Sequence, residues 1–254
     1  MKHYKLMDIS GPWLRVLSSL LFLAAWQFFA TYSNSDFLPS PNQVLINFVD
    51  HMIQGDLPFQ LGITLMRVVV SFFTAMAIGV AVGLIMGRYQ RWDASLDGVL
   101  ILALNLPALV VIILCYIWFG LGEFAAILAV SINKFPLVVV NVREGARAVN
   151  QELLEVGSVF RVPSKRLFLK IFLPQLYPYL LASARAGLAL IWKIVLIVEL
   201  LGRSNGVGFK LGIFFQFFDI TSILSYSFAF IGIVMIIEYL LIAPIDRRLS
   251  EWRK

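Results

Sequence analysis

The chain has 254 residues, of which 60% are hydrophobic and 14% charged, with 21 Lys and Arg against 15 Asp and Glu. An ordinary soluble domain is about 25% charged, so a disordered tail, a coiled coil and a typical cytosolic enzyme are excluded. Cys115 is the one cysteine, which excludes an intrachain disulfide framework and a cysteine-based metal cluster.

A helix needs about 20 mostly apolar residues to cross a hydrocarbon core about 30 Å thick. Six stretches meet this: residues 14–34, 64–87, 98–120, 123–142, 177–201 and 221–243. The predicted fold class is an all-α membrane protein, a single domain over residues 1–254 with six transmembrane helices. The first stretch is preceded by Lys2 and Lys5 and has Arg15 at its start, a basic leader such as a secretory signal has. Its apolar run is too long for a signal core and no small-residue cleavage site follows, so an uncleaved anchor is predicted.

Lys and Arg accumulate in cytoplasmic loops. Here they lie in the N-terminal segment, at Arg88 and Arg91, in the loop 143–174, and in a tail with Arg247, Arg248, Arg253 and Lys254. The opposite side has Arg203 and Lys210, and the spans hold Arg67, Lys134, Arg185 and Lys193. Both termini are therefore predicted to be cytoplasmic. The net charge of +6 becomes a topology signal, and no nucleic-acid partner is needed to explain it.

Between the first two spans, Ser40 and Pro41 read as a helix N-cap and first-turn proline. Val44, Leu45, Phe48, Val49 and Met52 follow at helical spacing up to Gly55. This predicts a short amphipathic helix packed on the bundle or lying on the membrane. In the second span Gly79, Gly83 and Gly87 line one face, a packing surface for another backbone. The aromatic run Phe214, Phe215, Phe217 and Phe218 suits a membrane interface.

The largest cytoplasmic segment is 143–174. Asn150 can cap a helix containing Glu152, Leu153, Leu154, Glu155 and Val156, and acidic first-turn residues suit the helix dipole. Pro163 breaks the pattern and Ser164 can cap the next helix. A helix–turn–helix here could be a nucleic-acid motif, but between membrane spans it reads better as a docking surface for a cytoplasmic partner.

This loop carries a family resemblance. Glu155-Val156-Gly157, then Arg161, then Ile171-Phe172-Leu173-Pro174 resembles the EAA loop of ABC-importer permeases, in which Glu-Ala-Ala precedes a glycine, and Ile-x-Leu-Pro follows. Phe37-Leu38-Pro39-Ser40-Pro41, Trp118-Phe119-Gly120-Leu121-Gly122-Glu123, Arg185-Ala186-Gly187-Leu188, Trp192 with Glu199, and Gly206-Val207-Gly208 are similar to the sulfonate/taurine/nitrate type. The resemblance extends from about residue 37 onward. It implies a type I permease fold with a cytoplasmic coupling helix, placed in the bacterial inner membrane. It implies a second permease copy as homodimer partner, two ATP-binding cassette subunits and an outer solute-binding protein, with membrane lipid around them. It assigns ATPase coupling to Glu155, Val156, Gly157, Arg161, Pro163, Leu173 and Pro174.

Two positions depart from the motif. Arg161 replaces the glycine; if that turn needs a positive φ, the cost is about 1–2 kcal/mol. Gly157 replaces the second alanine and weakens that helical turn. No Gly-x-x-x-x-Gly-Lys-Ser/Thr loop is present to cradle phosphates. No cofactor is predicted in this chain; ATP and Mg belong to the partner ATPase, and the chain is expected to have no ATPase site of its own.

An ionisable side chain inside a span costs several kcal/mol and faces protein or water. Lys134 with Asn133, and Arg185, Lys193 and Glu199, are the candidate substrate-path residues, with cations that would attract an anion. A structural lysine paired with Glu199 or Glu238 fits equally well. Arg185 and Glu199 are about 21 Å apart along one helix and cannot pair directly. Arg67 and Glu238, near span ends, are expected to snorkel. A secondary transporter coupled through Lys134, Lys193 and Glu199 is the alternative function. No metal site is predicted, since His3 and His51 stand apart and outside the spans.

Overall fold

The structure, a computed structural model, describes residues 12–33, 35, 37–242 and 244. Lys2, His3, Lys5, residue 243 and the tail with Arg247, Arg248, Arg253 and Lys254 lie outside the described residues. The described chain is all helix: α1 (Pro12–Ser33), α2 (Pro41–Ile53), α3 (Leu57–Arg88), α4 (Gln90–Asn105), α5 (Ala108–Phe119), α6 (Glu123–Arg147), α7 (Gln151–Val159), α8 (Ser164–Leu167), α9 (Leu173–Gly202), α10 (Val207–Gln216) and α11 (Ile220–Ile237). Two π-helical turns, Phe168–Phe172 and Glu238–Ile242, precede α9 and follow α11.

Among the described residues five helical runs are long and apolar enough to cross a membrane, in α1, α3, α6, α8–α9 and α11. The stretch 98–120, predicted as one span, runs through the pair α4 and α5, bent by 99°, which makes a sixth span if the bent pair is counted as one. The break has a local cause. Pro107 forces the preceding residue out of the helical region, and Leu106 is extended with ψ 125°.

α3 and α6 lie side by side along most of their length, and α9 packs against both. Glycine makes this possible. A Cβ at Gly79 would sit 2.5 Å from Val138 Cβ, at Gly83 2.8 Å from Val142 Cβ, and at Gly87 2.6 Å from Ala146 Cβ. Gly145 gives α9 the same access, with Tyr179 against it. Close backbone approach is how small residues hold membrane helices together, since lipid tails leave little hydrophobic drive for association. α1 behaves differently: only 6% of its apolar window is buried.

α2 is capped as its residues predict. Gln43 N donates to Ser40 Oγ at 3.3 Å, and Ser40 N donates back to Gln43 Oε1 at 2.7 Å. It packs on α11 through Ser225 Oγ donating to Val44 O at 3.0 Å. Phe214 packs against Tyr226 and His51, while Phe215, Phe217 and Phe218 are exposed. α2, α10 and the ends of α6 and α9 near Glu123 and Glu199 share one end of the bundle; α7 and α8 occupy the other.

Enlarging the α3–α6 contact tests this packing. Gly83→Leu forces atoms into a filled space, an overpacking cost of about 1–3 kcal/mol. The expected outcome is a lower melting temperature in detergent, while Gly98→Leu, where a Cβ meets nothing within 4 Å, leaves it unchanged.

Candidate functional site

At the α7 end, Asn150 caps α7 by accepting from Leu153 N at 3.2 Å, while its own N–H donates to Gln175 Oε1 at 2.9 Å. The loop is thus tied at its start to the first turn of α9, where Leu173 and Pro174 lie. α7 closes at Phe160, and Arg161 follows with φ 52°. Arg161 N donates to Ser158 O and Val162 N to Gly157 O, both at 2.9 Å. This is a Schellman closure, whose left-handed residue is usually glycine. The positive φ that the motif's glycine implied is present, so Arg161 carries the strain. Gly157 has its own reason: a Cβ there would collide with Leu167 Cδ1. The next helix is capped one residue early. Pro163, not Ser164, is the cap, because its carbonyl accepts from Arg166 N at 2.8 Å and Leu167 N at 3.0 Å.

The loop presents Leu153, Val156, Val159 and Phe160 outward, the last two 77% exposed, beside the exposed Glu155. Clustered apolar exposure on a cap of polar residues marks an interaction surface.

Inside the bundle the candidate charges separate into three groups. Lys134 is buried, 2% exposed, at the middle of α6. No side-chain hydrogen bond or ion pair to it occurs among the described residues. Its Cε lies over Gly187 of α9, 3.7 Å from where a Cβ would be. Ser71 Oγ, in the same α3–α6–α9 layer, is buried without a hydrogen-bond partner among the described residues. Asn133 is half-buried beside it. Lys193 and Arg185 instead lie on an exposed stripe of α9 with Ala182, Ala186 and Ala189. Arg185 Nη2 reaches Glu238 Oε1 at 3.3 Å.

Glu199 belongs to the third group, at the α10 end. It is entirely buried, and its carboxylate accepts from Arg67 Nη1 at 2.7 Å, Thr64 Oγ1 at 2.9 Å and Gly208 N at 2.8 Å. Arg67 is 1% exposed and also donates to Glu123 at 2.8 and 2.5 Å and to Asn205 O at 2.9 Å. Arg203 completes the set with a 2.6 Å contact to Glu123. Gly206, at φ 103°, sits where a Cβ would overlap the Glu199 carboxylate, so both its conformation and its bareness are required.

Three expectations are corrected here. Arg67 does not snorkel, because folding brings Glu123 and Glu199 to it and ion pairing replaces water. Glu238 does not snorkel freely either, since it pairs with Arg185. Neither lysine takes Glu199 or Glu238 as a partner. The sequence did contain a signal for the cluster: Gln60, Thr64, Arg67 and Ser71 place four polar residues on one face of an apolar helix, and all four are buried.

Just outside the spans, burial opposes the charged form of Asp56. Hydrogen bonds from Lys210, Gln60 and Tyr226 outweigh it and bring the carboxyl from an ordinary 3.8 to about 2. The depressed value means its stabilisation is complete above pH 4 and is lost as pH falls through about 2.

The chain belongs to the family of binding-protein-dependent transport system inner membrane components, which it matches over residues 79–251. It is a multi-pass permease of an ABC importer. It is 28% identical over 95% of its length to SsuC of Bacillus subtilis (strain 168), named for aliphatic sulfonates transport, and spans 88% of that protein. It is 27% identical to the taurine transport system permease protein TauC of Escherichia coli (strain K12), over 85% of this chain and 80% of that one. It is 28% identical to the nitrate import permease protein NrtB of Synechocystis sp., over 74% and 71%. The fold is that of a chain in the inward-facing MetNI methionine ABC transporter, with a TM-score of 0.60 at 17% identity, covering 74% of this chain and 92% of that chain.

Two variants test the site geometry. Arg67→Met leaves the buried Glu199 carboxylate without its cation, while Glu123, partly exposed, keeps Arg203; breaking a buried pair costs about 3–5 kcal/mol, so a large fall in melting temperature is expected, with partial recovery when Glu199→Gln is added. Arg161→Gly relieves the left-handed strain, and slower proteolysis of the loop, for a gain of about 1 kcal/mol, is the expected outcome.

Proposed function

We propose that this chain forms the membrane path of an ATP-driven importer for a small anionic solute and takes its power stroke through the loop 143–174. The observation that carries the coupling role is the α7 cap. It is rigidly closed by a Schellman motif, tied to α9 through Asn150 and Gln175, and leaves Leu153, Val156, Val159 and Phe160 uncovered beside Glu155. Such a cap fits the groove of a separate ATPase subunit that binds ATP and Mg. Force applied to α7 passes through Leu167, Ile171 and the π-helical turn into α9. Pro163 fixes the corner between α7 and α8, and Leu173 and Pro174 begin the helix that receives the motion.

The path reading rests on the exposed stripe of α9. Arg185 and Lys193 cannot face hydrocarbon cheaply, and Ala182, Ala186 and Ala189 let a second backbone approach. Two copies placed with these stripes toward each other enclose a path with cationic walls. Lys134 and Asn133 lie behind α9 at mid-depth and supply further positive potential. Glu199 is held away from the stripe by Arg67 and acts as an anchor for the outer end. An anion suits this surplus of cations, and the sulfonate, taurine and nitrate in the relatives' names each carry an anionic oxygen group. In this arrangement α2 and α10 face outward toward a solute-binding protein, and α7, α8 and both termini face the cytoplasm of a bacterial inner membrane. The alternative of ion coupling through Lys134, Lys193 and Glu199 is disfavoured by their separation into three different environments.

Two measurements test the proposal. Val156→Asp with Phe160→Asp is expected to abolish co-purification of the ATPase subunit and ATP-driven uptake while the permease still folds. Lys193→Met in an intact complex is expected to lower uptake into proteoliposomes about tenfold, the effect of about 1.4 kcal/mol; unchanged uptake removes Lys193 from the path.

A further inference from the structure

We propose that the slot beneath α2 is a binding site for one membrane phospholipid with an amine-bearing headgroup. The slot has a volume of about 590 Å3 and lies between α1, α2, α3 and α11. Leu23 and Trp26 wall it on one side, Gly232 and Ile236 on the other, and Leu45 and Phe48 of α2 roof it. Every lining residue is apolar, so water entering it would lack the two to four polar partners that a buried water needs. A Cβ on Gly232 would meet no atom within 4 Å, so the space is open down to the α11 backbone. The chain has thus left an apolar gap at membrane depth, bounded by the spans α1, α3 and α11 and by α2.

The same two spans continue past Trp26 into a second, polar pocket of about 320 Å3. Ala30 lies one turn beyond Trp26 on α1, and Thr221 two turns beyond Phe228 on α11; Gln43 and Asp219 complete the polar rim. Trp26 divides the two spaces. Its Nε1 donates to Pro39 O at 3.0 Å and its ring lies 6.0 Å from Phe228, which fixes α1 at the boundary. Asp219 Oδ1 accepts from Ser222 N at 3.0 Å, and no salt-bridge partner to Asp219 occurs among the described residues. Among the described residues no Lys or Arg lines either space. An apolar slot beside a polar pocket that holds a half-buried carboxylate, the N-cap of α11 with no cation paired to it among the described residues, is complementary to an acyl chain ending in an ammonium, and Gln43 and Thr221 add polar groups for the phosphate ester. On the outward orientation proposed for α2, the lipid belongs to the outer leaflet.

Native mass spectrometry of the full-length chain in its complex, after stepwise delipidation, tests the site without relying on transport. The wild type is expected to retain about one phosphatidylethanolamine per chain. Gly232→Phe fills the slot from the open side and is expected to lower that retention roughly tenfold or more. Asp219→Asn is expected to keep a lipid but lose the preference for phosphatidylethanolamine over phosphatidylglycerol. Gly232→Ala controls for folding and is expected to melt as the wild type does. Equal retention in Gly232→Phe overturns the proposal. So does a disulfide between two Gly232→Cys chains, which would show a second copy in the slot. A wild-type complex that retains the lipid yet shows no ATP-driven uptake would count against the importer reading alone.

Discussion

Arg67 is the charge on which the α10 end of the molecule depends. It is buried in a low-dielectric interior, where an unpaired guanidinium would be prohibitive. Its partners come from three places: Glu123 opens α6, Glu199 closes α9, and Asn205 lies in the turn before α10. One side chain therefore sets the relative position of three helices and a loop. Thr64 and Gln60, one and two turns away on α3, extend the same grip to Val207 N at 2.9 Å and Gly206 N at 2.5 Å. Gly206 is bare because the Glu199 carboxylate occupies the place of its side chain.

The opposite half is held by a different kind of contact. Gly79, Gly83 and Gly87 bring α3 against Val138, Val142 and Ala146 of α6. Below them Arg143 and Arg147 bind Asp93 of α4, and Arg143 also reaches Asp97 at 2.6 Å. Polar clamps at both ends and a glycine seam between them make α3, α6 and α9 a stiff unit. Around it, α1 is loosely attached and the α7 cap is exposed. A stiff core with an exposed cap suits the coupling role proposed for the loop 143–174.

Much of the loop 143–174, and of the α2 cap, was legible in the chain. Asn150 and Ser40 cap their helices through local hydrogen bonds, which depend on residues three apart. The positive φ at Arg161 followed from the register of a motif whose glycine it replaces. The cap at Pro163 was missed by one residue, because Ser164 had the better side chain but Pro163 had the carbonyl in position. The α4–α5 bend had a signal in Pro107, yet membrane helices tolerate proline when neighbours satisfy the freed groups, so the sequence left the bend undecided.

What the residues determined alone is what depends on short range or on composition: an all-helical membrane chain, its caps and its glycine faces. The fate of each intramembrane charge was decided only by the tertiary structure. Lys134, Arg67 and Glu199 look alike as interruptions in apolar runs, since the cost of burying each is similar. The difference lies in what comes within 3 Å from more than 130 residues away, as Glu199 does for Arg67. That distance is set by helix packing, and so Arg67 and Glu199 are anchors while Lys134 and Lys193 remain without a carboxylate among the described residues.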